Sequence, residues 1–370
     1  MYLRPKPVRR RPVRRRTLLL YALSALLLAL AGLQRLPWFQ VLPPTPTPTR
    51  SAASYLEEAQ LHYRAGRLSE ALRACSQALA LAPQNREALL VCGRYFVLRE
   101  RTQEAVDLAK RALELKGDDA EALALLAHAL DWAGELDEAL LNAKKATTLA
   151  PRSAYAFAVL AEVHADRGEL AAAIAAADRA LSLEPDDALV HRSRGYSLER
   201  LGRYREALEE YERAIELEPN LYLPYLSAGY TYLAMQRLGE ARSYFELAVE
   251  KDPESVLALL SLGKTYLALG SPEEAIQTLE KAVSLAPEDA RAQAYLGAAY
   301  YAYLEFEQAI PHLHRALELG RSDDTVLSQL GLALAYTEQC EEALPYLRAA
   351  LKANPSSPAA KQGLELCSPK

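Results

Sequence analysis

The side chains with chemistry to offer in this 370-residue sequence are six histidines, four cysteines and a few paired carboxylates. Structural zinc needs cysteines and histidines at short, convergent spacings. Cys75, Cys92, Cys340 and Cys367 form no CxxC pair. His312 and His314 stand two apart, so on one helix they diverge, whereas metal-binding histidines at i and i+4 converge. Glu209-Glu210 and Glu341-Glu342 fall in amphipathic segments and read as solvated faces. A Gly-rich phosphate loop, HExxH and GxSxG are all missing from the sequence. These observations predict no catalytic constellation, no metal site and no cofactor.

Charge narrows the partners. Residues 1–50 carry ten Lys/Arg and no Asp/Glu, so 51–370 holds 33 basic against 48 acidic residues, a net −15. A body this acidic repels polyanions, and nucleic acid is not expected as a partner.

The basic charge gathers in 1–16, a tail with Arg4, Lys6, Arg9, Arg10, Arg11, Arg14, Arg15 and Arg16. Residues 17–33 follow with no charge at all. As a helix they would extend about 25 Å, at the short end of what crosses a bilayer. The positive-inside rule puts 1–16 in the cytoplasm and the rest outside it. Ala29-Leu30-Ala31 before Gly32 fits a signal-cleavage site, so a secreted or periplasmic chain is the alternative. Residues 34–51 hold Trp38-Phe39 and then alternating Thr and Pro, an extended spacer.

Such chemistry as the rest offers must be positioned by helices. Ala, Leu and Glu dominate, and only 16 residues are Gly. From residue 52 the chain repeats every 34 residues, nine times, to 357. The eighth position is small throughout (Ala59, Gly93, Gly195, Gly331 among them). The twentieth and twenty-seventh are always Ala, and the thirty-second is Pro in seven units. Small residues let helices cross closely, and a closing Pro stops the second helix. A Gly near the fifteenth position separates the helices in five units, and Ser271-Pro272-Glu273-Glu274 reads as an N-cap with a capping-box acid.

This pattern resembles the tetratricopeptide repeat family. The resemblance covers 52–357 and implies an all-α fold, a right-handed superhelical solenoid of nine helix-turn-helix units, beside a separate membrane helix. Residues 358–370 then form a capping helix and tail. In the family, the eleventh position is an aromatic core site, which makes His62 and His164 packing residues. Cys75 and Cys92 fall where neighbouring helices pack, and buried free thiols are expected there in preference to a bridge.

The family's concave groove is lined from positions two, five, nine, twelve and thirteen. Here these give a polar stretch of Glu162, Asp166, Arg192, Tyr196, Glu199 and Arg200. A Leu/Tyr stretch follows, with Leu223, Leu226, Tyr230 and Leu233, then Leu257, Leu260, Lys264 and Leu267. Arg291, Tyr301, Leu332 and Tyr336 come last. No unit has the Lys and Asn set that clamps a terminal carboxylate. The resemblance implies protein or peptide segments as partners, with the membrane held by the N-terminal helix. Expected functions are a membrane-anchored adaptor, a chaperone-like accessory of secretion or envelope assembly, or a non-catalytic subunit that delivers substrates. The oligomeric state is left open.

Overall fold

A computed structural model describes residues 22–27 and 50–368. The chain divides into two units, Met1–Arg50 and Ser51–Lys370. In the first, 22–27 are helical and exposed. The expected membrane helix over 17–33 falls on this stretch. The remainder of 17–33, the basic tail and nearly all of the Thr/Pro spacer lie outside the described residues. Among the described residues no helix is long and apolar enough to cross a membrane.

The second unit is an all-α repeat solenoid. Its first helices are α1 (Ala52–Arg64), α3 (Arg86–Leu98), α5 (Ala120–Trp132), α7 (Ala154–Asp166), α9 (Ala188–Arg200), α11 (Tyr222–Ala234), α13 (Val256–Ala268), α15 (Ala290–Ala302) and α17 (Asp324–Tyr336). Each is followed by a second helix: α2 (Leu68–Leu81), α4 (Thr102–Leu115), α6 (Leu136–Leu149), α8 (Leu170–Leu183), α10 (Tyr204–Leu217), α12 (Leu238–Lys251), α14 (Pro272–Leu285), α16 (Phe306–Glu318) and α18 (Cys340–Ala353). A shorter helix, α19 (Pro358–Leu366), covers the end.

Local chemistry sets these boundaries. The last residue of each unit caps the next first helix: Asn85, Asp119, Ser153, Asp187, Ser255, Asp289, Asp323 and Ser357 all accept a backbone N–H there, and Leu221 is the exception. Ser271 does not cap: its side chain makes no such bond, although Pro272 opens the helix as expected. The fifteenth residue turns the chain with positive φ. Glycine supplies this in five units, and Glu100, Gln236, Leu304 and Glu338 supply it in the others.

Packing within a unit pairs positions eight and twenty-four. Gly195 faces Tyr211, Gly229 faces Phe245, and Gly263, Gly297 and Gly331 face Leu279, Leu313 and Leu347. A Cβ on Gly195 would sit 2.6 Å from the Tyr211 ring. Where position eight is Ala, position twenty-four is Cys75, Ala143 or Ala177; in unit two Gly93 has Ala109 there, and Leu125 of the next unit fills the space. Bulk on one helix is thus matched by its absence on the other, as close-packed interiors require.

Two features depart from expectation. Cys75 of α2 and Cys92 of α3 are bridged, with Cα atoms 5.6 Å apart. Cys340 is bridged to Cys367, pinning the capping helix to α18. The free-thiol reading is therefore wrong: positions twenty-four and seven of adjacent units bring the two thiols face to face. Second, the early units meet the later ones across the solenoid. Tyr222 Oη donates to the Leu98 carbonyl at 2.6 Å, and Arg99 pairs with Asp252 at 3.0 Å. Arg291 reaches Glu100 at 3.0 Å, and Ser69 hydrogen-bonds Glu254. The inner face is closed in by these contacts.

Candidate functional site

First helices line the inside, and among the cavities between them two stand out by size. The smaller, about 300 Å³, is bounded by Tyr63, Arg94, Tyr95, Tyr155 and Leu223 among others. Tyr63 and Tyr95 stack with centroids 4.5 Å apart, and the Arg94 guanidinium sits 4.3 Å over the Tyr155 ring.

The larger, about 550 Å³, lies between α5, α7, α9 and α11. Asp131 and Trp132 come from α5, Glu162 and Asp166 from α7, Arg192, Tyr196, Glu199 and Arg200 from α9, and Leu226 and Tyr230 from α11. One helix supplies four of these because positions five, nine, twelve and thirteen share a face at 3.6 residues per turn.

A polar network crosses its wall. Arg192 Nη2 donates to Glu162 Oε1 at 2.6 Å, and Ser193 Oγ donates to the same oxygen. Tyr196 Oη donates to Asp166. Tyr211 Oη and Thr231 Oγ1 donate to Glu199 Oε2 at 3.0 and 2.8 Å. Tyr230 Oη and Ser261 Oγ share a hydrogen bond of 2.6 Å. Buried Arg192 is thus neutralised in place, a pairing that a buried guanidinium needs.

Three carboxyls are pushed the other way. Burial raises Asp131 to about 8, helped by Asp166 and Glu162 and opposed by Arg192. Asp166 and Glu199 are raised, in both cases chiefly by burial. Glu162 is held below its ordinary value: its burial is outweighed chiefly by the Arg192 charge, with hydrogen bonds from Ser193 and Arg192. His128 is lowered to about 4 by burial, so its 3.9 Å approach to Glu162 is no ion pair at neutral pH. Asp131 is only 6% exposed, and its Oδ1 has no hydrogen-bond partner.

The structure divides the sequence-derived groove set. Arg192, Tyr196, Arg200, Leu226 and Tyr230 meet in the larger cavity, with Glu162, Asp166, Glu199, Leu223 and Leu257. Leu260 and Leu332 are buried in the stack and present nothing to a partner. Position five packs between adjacent first helices, which explains Leu260 and also the burial of Arg192 and Leu226. Leu233 and Leu267 are half-buried against neighbouring cores. Lys264 is exposed outside both cavities. Tyr301 and Tyr336 flank Phe306, Tyr336 stacking on it at 4.6 Å, as a separate aromatic group. Arg291 is held by Asp289 and Glu100.

Asp131, Trp132, Tyr63 and Arg94 were absent from that set. They occupy positions twelve, thirteen, twelve and nine of the first three units, so the same register identifies them. His164 is buried and 2.6 Å from Glu169, and half-buried His62 accepts from Arg67 Nε at 3.1 Å. His312 stacks on Tyr300 while His314 approaches Glu342 at 3.2 Å, so the two serve different contacts. Glu210 is not a solvated face, since it takes His191 at 2.7 Å and Arg194.

Models of one family match most of the array. Tetratricopeptide repeat models fit residues 56–120, 124–188, 188–221, 232–299, 266–332 and 328–364. Comparison with curated proteins gives no sequence match. Among solved structures, the chain is similar to one in the APC/C hetero-tetramer Cut9-Hcn1, at TM-score 0.62 and 19% identity. That alignment covers 86% of this chain and 64% of the other, so this chain spans under two thirds of its relative. Weaker likenesses are YrrB, described as a TPR protein with an unusual peptide-binding site (TM-score 0.45, 24% identity, 51% of this chain and 97% of that one), and a human IFIT1 dimer with PPP-AAAA (0.49, 21%, 81% and 82%). A 34-residue period in sequence, paired helices in space and family models along nearly the whole array agree: this chain belongs to the tetratricopeptide repeat family.

Proposed function

We propose that this chain is a membrane-tethered adaptor whose repeat array works outside the cytoplasm and holds segments of partner proteins on its inner face. Tetratricopeptide arrays mediate protein–protein interaction and scaffolding. The observation that carries the reading is the inner face itself. Tyr63, Tyr95, Trp132, Tyr196, Arg200 and Tyr230 line its two cavities. Aromatic rings and arginine concentrate binding energy at interfaces because they bury area at small entropic cost. In this reading the chain acts by binding and has no catalysis of its own.

Two observations favour placement outside the cytoplasm. Eight cations precede the uncharged run 17–33. All four cysteines are paired, and disulfides persist where the environment is oxidising. Protease treatment of intact cells tests the placement: digestion of the array is expected, and full protection contradicts it.

Partner binding is tested by crosslinked affinity capture of the full-length protein from detergent-solubilised membranes. A second capture uses Arg200→Glu, Tyr230→Ala and Lys264→Glu together, three exposed positions. A partner lost from the variant supports the inner face. Partners retained in full contradict it.

A further inference from the structure

We infer that the 550 Å³ cavity between α5, α7, α9 and α11 is a pocket for a basic side chain, an organic cation on an aliphatic stem, presented by the segment that the inner face binds. The inference rests on the proposed partner-binding role of that face.

The first support is an unmet need. Asp131 lines the cavity, is 94% buried by its 6% exposure, and leaves Oδ1 without a partner. Native structures seldom leave a buried acceptor unpaired, because its desolvation is uncompensated. A donor entering the cavity would supply the missing bond.

The second support is the excess of carboxyl groups over cations in the lining. Arg192 is paired with Glu162 through Nη2, although its buried Nε has no hydrogen-bond partner, and Ser193 donates to that same Glu162 carboxylate. That leaves Asp131, Asp166 and Glu199 against Arg200, whose side chain is exposed at the edge. His128, on the same helix as Asp131, is neutral at pH 7. An anion would meet three carboxyls in a half-dry space, and a cation would meet acceptors.

The third support is the apolar part of the wall. Trp132, Tyr196 and Tyr230 put aromatic rings in the lining, which suit a cation, and Leu223, Leu226 and Leu257 add apolar surface for methylenes. A bare metal ion has no use for this lining, and among the described residues no group of three His, Cys, Asp or Glu is placed to hold one. The volume lies within the usual range of ligand pockets, about 300–1,000 Å³. A lysine or arginine side chain matches all three features.

The pocket also predicts a proton release. Asp131 keeps its proton to about pH 8, through burial and the neighbouring Asp166 and Glu162, against Arg192. A bound cation reverses that balance and drives the carboxyl to its charged form. Affinity should therefore rise with pH between 6 and 8, by up to about tenfold per unit if one proton leaves.

The test is calorimetric titration of the full-length protein with three probes: Nα-acetyl-lysine methylamide, the arginine analogue, and the uncharged norleucine analogue. The expected result is binding of at least one charged probe, with norleucine about tenfold or more weaker. The stronger charged probe identifies the side chain. Asp131→Asn should weaken the charged probe by a similar factor and abolish the pH dependence, with helical content unchanged by circular dichroism. Equal affinity for lysine and norleucine, or no affinity for either charged probe, overturns the inference without any variant. Loss of a captured partner from the inner-face variant together with silence towards all probes would refute the pocket alone. Probe binding with unchanged capture would refute the partner role alone.

Discussion

Replacing Asp131 with Asn should make the array more stable at alkaline pH and leave it unchanged in acid. The ordinary carboxyl value is 3.8 and the folded value is about 8, raised by burial and then by Asp166 and Glu162. Between these values the folded chain holds a proton that the unfolded chain has released, so stability falls as pH rises through this window. Each unit is worth about 1.4 kcal/mol, or about 4 kcal/mol from pH 5 to 8. For an array of this length, an unfolding entropy of about 2.1 cal/mol/K per residue converts that to about 5 °C in melting temperature. Asn keeps the shape and cannot ionise. In melts followed at 222 nm the variant's advantage should therefore widen by about 5 °C between pH 5 and pH 8, from a small offset already present at pH 5. Parallel curves across the range would show that Asp131 ionises freely, and the argument for its unmet buried oxygen would fall with it.

Five further outcomes are expected. Gly195→Ala drives a Cβ to 2.6 Å from the fully buried Tyr211 ring and 3.1 Å from the Ala207 carbonyl oxygen, so it should cost about 1–3 kcal/mol in urea unfolding. Gly239→Ala, with nothing within 4 Å, should gain about 1 kcal/mol. Leu304 holds φ at 66° with its side chain 72% exposed, and Leu304→Gly should gain about 1 kcal/mol by removing a strained left-handed residue. Thiol titration of unreduced protein should find no reactive cysteine. Replacing Cys75 and Cys92 by Ser should then cost about 3 kcal/mol for a loop of this length.

The repeat was legible because helix pairing writes itself into every 34 residues. The small eighth position, the two alanines and the closing proline all report local contacts. The match between positions eight and twenty-four was equally visible, with Gly against Tyr211, Phe245, Leu279, Leu313 and Leu347 and Ala against smaller residues. The cap at the last position of each unit is visible in the sequence too, as Asn, Asp or Ser in nearly every unit. The Cys75–Cys92 bridge was harder, because a separation of 17 carries no motif and only the stacking of adjacent units brings the two together. Closure of the inner face had no local signal at all. Contacts such as Tyr222 to Leu98 and Arg99 to Asp252 depend on the small rotation from each unit to the next, summed over several units. The register located the inward face but did not separate buried residues on it, such as Leu260 at position five and Leu332 at position nine, from exposed ones such as Tyr230 and Arg200.

The central claim is that partner segments lie on the inner face. Its most direct measurement places a photo-crosslinking amino acid at Tyr230, inside, or at Glu212, exposed on the second helix of unit five. Both proteins are irradiated in intact membranes. Adducts from position 230 that are absent from position 212 are the result expected here. Adducts from 212 alone would put the binding surface on the outer face and contradict the account.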